Sequence, residues 1–143
     1  MKKSLILTFL ALVISFLLIL SVLFIPAIRE LFRGSLLFLL PFIVFSLLGV
    51  VLIILTVRGK VEGLLKKFLV LTGASSAGIF ISILLHNLIY GLFIHWLGSN
   101  FWERVGIGDE PFFFFLAIIV CPIGFLVGVV GSIVLFLKQK DGP

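Results

Sequence analysis

Six side chains between positions 72 and 90 carry most of the polar chemistry that this sequence places inside an apolar run: Thr72, Ser75, Ser76, His86, Asn87 and Tyr90. At about 100° per residue they fall on one stripe of a helix, within roughly 120° of arc. Facing acyl chains, such a stripe would leave donors and acceptors unpaired at several kcal/mol each, so it is expected to face other helices or another subunit. His86 and Tyr90 are one turn apart, near enough for a direct or shared hydrogen bond. Two readings stay open. The stripe holds helices together, as small polar residues commonly do, or His86, Asn87 and Tyr90 line an intramembrane site, since an ionisable group at membrane depth is a functional candidate by default.

Other chemistry is scarce. His95 is nine residues from His86, about 180° around one helix, so the two imidazoles cannot clamp one haem within a single copy. The lone Cys121 excludes an intrachain disulfide and a four-cysteine zinc site, and there is no CxxC. No nucleophile–base set is recognisable. No Asp, Glu, Lys or Arg lies deep in an apolar run, whereas ion-coupled carriers usually place one near the midplane. The expectation is a non-enzyme without catalytic residues, cofactor or metal.

The elements that must position the stripe follow from composition. Of the 143 residues, 62% are hydrophobic and 12% charged, with a mean hydropathy of +1.43. A soluble domain carries about twice that charged share. All 17 charged residues avoid four stretches, 4–28, 34–57, 68–102 and 111–137. Each exceeds the roughly 20 residues a helix needs to cross a bilayer. The fold class expected is therefore all-α: an integral membrane four-helix bundle in a single domain over 1–143, with helices near 4–28, 34–57, 68–97 and 111–137. The first run is longer than a signal-peptide core and its exit at Pro26 offers no A-x-A site, so it is expected to remain as the first span.

Charge orients the chain. Lys2, Lys3, Arg58, Lys60, Lys66, Lys67, Lys138 and Lys140 fall on one side, and Arg29, Arg33 and Arg104 on the other. That asymmetry puts both termini in the cytoplasm. The pI of about 9.8 follows from these flanking clusters, so no nucleic-acid partner is expected. Trp96, Phe101, Trp102 and Phe112–Phe115 read as interfacial anchors, and the cations of the 58–67 connection face lipid head groups. Connections around 29–33 and 58–67 are short enough for tight antiparallel hairpins, and only 98–110 is long enough to present a surface outside.

The last span carries a complementary feature. Ala117, Cys121, Gly124, Gly128, Gly131 and Ser132 share about 100° of arc, and Gly124 and Gly128 form a GxxxG unit. Its partner is either the third span's own small cluster, Gly73-Ala74-Ser75-Ser76-Ala77-Gly78, or a second copy of itself. Thr8, Ala11 and Ser15, and more weakly Ser46 and Gly49, offer shorter small-residue stripes on the first two spans. Pro122 lacks a donor and crowds the carbonyl of Ile118, so a kink is expected beside Cys121.

The runs His86-Asn87-Leu88-Ile89-Tyr90-Gly91, Cys121-Pro122-Ile123-Gly124-Phe125-Leu126-Val127-Gly128 and Gly131-Ser132-Ile133 resemble a set of small uncharacterised prokaryotic four-helix integral membrane proteins. The resemblance covers roughly the C-terminal two fifths and implies a prokaryotic plasma membrane, with no activity to carry over. Two functional classes fit the whole. The favoured one is a non-enzymatic accessory or self-associating protein whose partners are the lipid bilayer, further copies of itself or a larger membrane complex. The alternative is a small oligomeric channel or transporter with a polar pathway along the third helix.

Overall fold

A computed structural model describes residues 2–32 and 35–140. Arg33, counted above among the basic residues of the minority side, and Gly34, the expected start of the second span, lie outside the described residues. Helix α1 (Lys2–Phe24) is followed by a short α2 (Pro26–Leu31), then by a 3-10 turn, Leu36–Leu39, that leads into α3 (Leu40–Arg58). The long α4 (Gly63–Leu97) comes next, then α5 (Phe101–Arg104), α6 (Pro111–Phe115), a π turn over Leu116–Val120 and α7 (Cys121–Lys140). No strand occurs among the described residues. Four helices are long and apolar enough to cross a membrane: Lys3–Phe24, Leu37–Arg58, Gly63–Leu97 and Pro111–Lys138.

The boundaries differ from the sequence expectation for identifiable reasons. The first span ends at Phe24 because Ile25 adopts an extended conformation, which the following Pro26 favours, and Pro26 then opens α2. The third span begins at Gly63, five residues earlier than its charge-free run. Exposed Lys66 and Lys67 lie in its first turns, and long cationic side chains of this kind extend along a helix toward the interface. At Pro122 the disturbance takes the form of the π turn: the Cys121 N–H donates to the carbonyl of Leu116, widening the turn that Pro122 would otherwise crowd.

The helices meet around an aromatic centre. Phe16 packs on Phe125 with ring centroids 4.7 Å apart and on Phe45 at 5.9 Å, while Phe45 meets Phe125 at 5.0 Å. Leu12, Leu52 and Leu69 are fully buried beside them. Outward-facing positions such as Leu7, Ile14, Leu47, Leu84 and Ile123 are apolar, which suits a surface solvated by acyl chains.

Small residues bring the backbones close. A Cβ on Gly49 would lie 2.6 Å from the carbonyl oxygen of Gly73, and one on Gly73 would lie 2.6 Å from the carbonyl oxygen of Gly49. One turn on, the buried Ser76 hydroxyl donates across the same α3–α4 seam to the carbonyl of Phe45 at 2.6 Å. Ser76→Ala is expected to cost about 1 kcal/mol in lipid or mixed micelles, read as a shift in the detergent-unfolding midpoint.

Candidate functional site

The polar residues of α4 separate by depth. Thr72, Ser75 and Ser76 are buried, together with Ser82. Thr72 donates back to the carbonyl of Phe68 at 2.8 Å, and Ser76 bonds to α3 as described. Against α7, a Cβ on Gly124 would lie 2.5 Å from Ser75 Oγ, and one on Gly128 would lie 2.5 Å from Thr72 Oγ1 and 2.8 Å from the Thr72 backbone nitrogen. Further along this seam, Gly131 faces the Phe68 ring and the Cys121 sulfur faces Gly78. Ala117 and Ser132 are buried as well, and Ser132 Oγ has no hydrogen-bond partner among the described residues. Thr72, Ser75 and Ser76 are therefore packed against neighbouring helices.

Higher on the same face the surroundings change. His86 is partly buried, and its contact with Tyr90 is through the ring faces, centroids 6.4 Å apart, in place of the hydrogen bond their spacing allows. Its ring nitrogens turn to residues that arrive from the 98–110 connection. Nδ1 lies 3.1 Å from the carbonyl oxygen of Glu110 and 3.3 Å from Glu110 Oε2. Both are acceptors, so Nδ1 carries the proton and donates to them. Nε2 lies 3.6 Å from Asp109 Oδ1, an oxygen that already accepts from the Glu110 N–H at 2.7 Å. The imidazole is therefore set between two carboxylates.

Glu110 is 4% exposed, unusual for a carboxylate, and every contact it makes explains why it stays there. Besides His86, its side chain accepts from the N–H groups of Phe112 and Phe113, at 2.8 and 3.0 Å, capping the helical run that opens at Pro111. Anionic caps at a helix N-terminus satisfy orphan donors and complement the dipole. The same connection covers Tyr90: the Trp102 ring stacks on it at 5.9 Å with planes 7° apart, and Trp102 Nε1 donates to the Tyr90 carbonyl at 3.3 Å. Trp102 is itself buried.

Asn87 departs from the expectation of an inward-facing stripe. It is exposed, and its amide donates to the carbonyl of Ile83 at 2.8 Å, because at this level α4 has no neighbour on that side and the side chain folds onto its own helix. His95 is exposed near the end of α4. Sequence reasoning missed the approach of Asp109 and Glu110 to His86, and it read Trp102 as an interfacial anchor without its buried stacking on Tyr90. The signal available for Glu110 was its place immediately before a proline that opens a helix, a capping position. Asp109 and Glu110 approach opposite edges of one imidazole, and among the described residues no three His, Cys, Asp or Glu side chains converge as metal ligands.

Comparison of the chain with protein-family models, with curated proteins and with solved structures gave no match.

Proposed function

We propose that this chain is a non-enzymatic accessory or self-associating protein of the membrane, a four-helix bundle with both termini on the cytoplasmic side. The observation that carries this reading is the filling of the polar stripe: Ser76 is packed against Gly49, Ser75 against Gly124 and Thr72 against Gly128, and rings of Phe16, Phe45 and Phe125 occupy the centre. Side chains engaged in that way hold helices together. The close fit along Gly124 and Gly128 supports packing of the fourth span on the third within one chain. The membrane in question is a prokaryotic plasma membrane, following the resemblance carried by 86–91 and 121–133.

Native mass spectrometry of the protein released gently from its own membrane tests the proposal. A stable complex with a heterologous protein of defined mass, or a closed homo-oligomer without ion flux, is the expected result. A lone monomer would overturn it.

A transporter reading has one observation in its favour, the imidazole of His86 set between Asp109 and Glu110 at the upper end of the stripe. Its signature is a pH-dependent flux in liposomes that His86→Ala abolishes while the helical content is retained.

A further inference from the structure

The helices are unequal in height. Phe16, Phe45, Ser76 and Phe125 lie at one level, fixed by ring contacts and by the hydrogen bond from Ser76 to Phe45. At 1.5 Å per residue, Lys3, Arg58 and Lys138 lie about 20 Å below that level, at the end that holds the termini. In the other direction α1 ends at Phe24 about 12 Å above it, and α6 begins at Pro111 about 20 Å above it. Leu97, the last residue of α4, stands about 31 Å above it.

The upper part of α4 is therefore an arm. Beyond His86 its ring contacts are with its own return segment, through Tyr90 and Phe93 against Phe101 and Trp102. Two polar side chains of that segment are engaged internally: Arg104 donates to the carbonyl of Leu97 at 2.6 Å, and Glu110 caps α6. The arm's outward surface is mixed, as suits a head-group layer: Leu88 is 61%, Trp96 71%, Val105 47% and Ile107 52% exposed, beside exposed His95, Asn100, Glu103, Arg104 and Asp109.

An apolar bilayer core is about 30 Å thick, and 40–45 Å with its head-group layers. With Lys3, Arg58 and Lys138 at the outer boundary of one head-group layer, an upright α4 would still carry its last turn about 6–11 Å beyond the opposite head groups. Gly63–Leu97 is about 51 Å long, and a tilt of about 30° fits all of it within the bilayer including its head-group layers, inside the range that transmembrane helices adopt. Tilting costs fractions of a kcal/mol per ångström of mismatch, less than leaving Leu88, Trp96, Val105 and Ile107 in water.

We infer that the arm, the 88–97 end of α4 with its return segment, is a lipid-binding element that lies in the head-group layer opposite the termini, with the helices inclined to seat it. The occupant of its apolar face is the interfacial zone of the bilayer, where an indole places its ring among acyl ester groups and its N–H toward water. Arg104 against Glu103, Asp109 and Glu110 gives the arm no excess of cations, so zwitterionic lipid suffices.

The test uses the full chain in phosphatidylcholine vesicles. Trp102→Phe leaves Trp96 as the sole tryptophan. Its emission is expected to be quenched by nitroxide or bromine carried near the head group, and several-fold less by aqueous iodide than free indole is. Quenching by iodide like that of free indole, with no effect of lipid-borne quenchers, would overturn the inference. Protection from both classes of quencher would overturn it as well, because it would mean that protein covers the arm. A nitroxide at Trp96→Cys in a Cys121→Ser background reads the same depth without disturbing Trp102. Ile14→Trp in a chain otherwise lacking tryptophan reports mid-depth, so a failure of the arm to insert is distinguishable from a failure of the helices to span.

Discussion

Replacing Gly73 by valine should destabilise the protein by about 3 kcal/mol, the upper end of what overpacking costs. The new Cβ would lie 2.6 Å from the Gly49 carbonyl oxygen and 2.7 Å from Ile53 Cγ1, so one obstacle is backbone and cannot rotate away. Relief requires α3 and α4 to move apart, and the Ser76–Phe45 hydrogen bond one turn on would be strained with them. Gly91, on the arm of the same helix, has nothing within 4 Å of its would-be Cβ. Gly91→Ala should therefore lose no stability, which separates crowding from a general effect of changing a helical glycine. The comparison is made by titrating both variants with denaturing detergent in mixed micelles and following helicity. Equal midpoints for the Gly73→Val variant and the native chain would mean that the α3–α4 seam is not as close as described.

The contrast between these two glycines also shows what could be read from the chain. The four spans are legible because 17 charges crowd into short intervals, and the structure has four helices of the required length and apolarity over them. The burial of Thr72, Ser75 and Ser76 follows from a helix having to hide its polar side. Asn87 lies on the same stripe by angle, but helical angle says nothing about where the neighbouring helices stop. By that level α4 has outgrown them on that side, and the stripe rule, which assumes neighbours, no longer applies. The length of α4 was hidden for a related reason. Lys66 and Lys67 interrupt the hydropathy of a helix whose backbone continues beneath them to Gly63.

The contact of His86 with Asp109 and Glu110 was illegible in a different way. It spans 24 residues and depends on the return path of the 98–110 connection, which passes through left-handed backbone at Gly98, Gly106 and Gly108. Local periodicity carries no information about such a path. Counted by side, Glu110 belongs outside the apolar run. In space its carboxylate is among the most buried polar groups of the chain, because a helix start and an imidazole share it.

That sharing makes Glu110 the second position of large expected effect. Glu110→Ala removes a helix cap, commonly worth about 1 kcal/mol, and leaves the partly buried Nδ1–H of His86 with one acceptor fewer, at a further cost of about 1–2 kcal/mol. The total should be about 2–3 kcal/mol, concentrated on the connection. Glu110→Gln preserves a carbonyl oxygen able to accept from Phe112 and Phe113, so the cap survives while the charge beside His86 is lost. Amide hydrogen exchange resolves the two contributions. The alanine variant should expose amides at 112–113 and along 101–108, whereas the glutamine variant should leave the 112–113 amides protected. Combining His86→Ala with Glu110→Ala in a double-mutant cycle should return a coupling of about 1 kcal/mol, since each change removes the same contact. Strict additivity would mean that Glu110 acts through the helix cap alone, and that the imidazole lies beside the carboxylate without holding the connection in place.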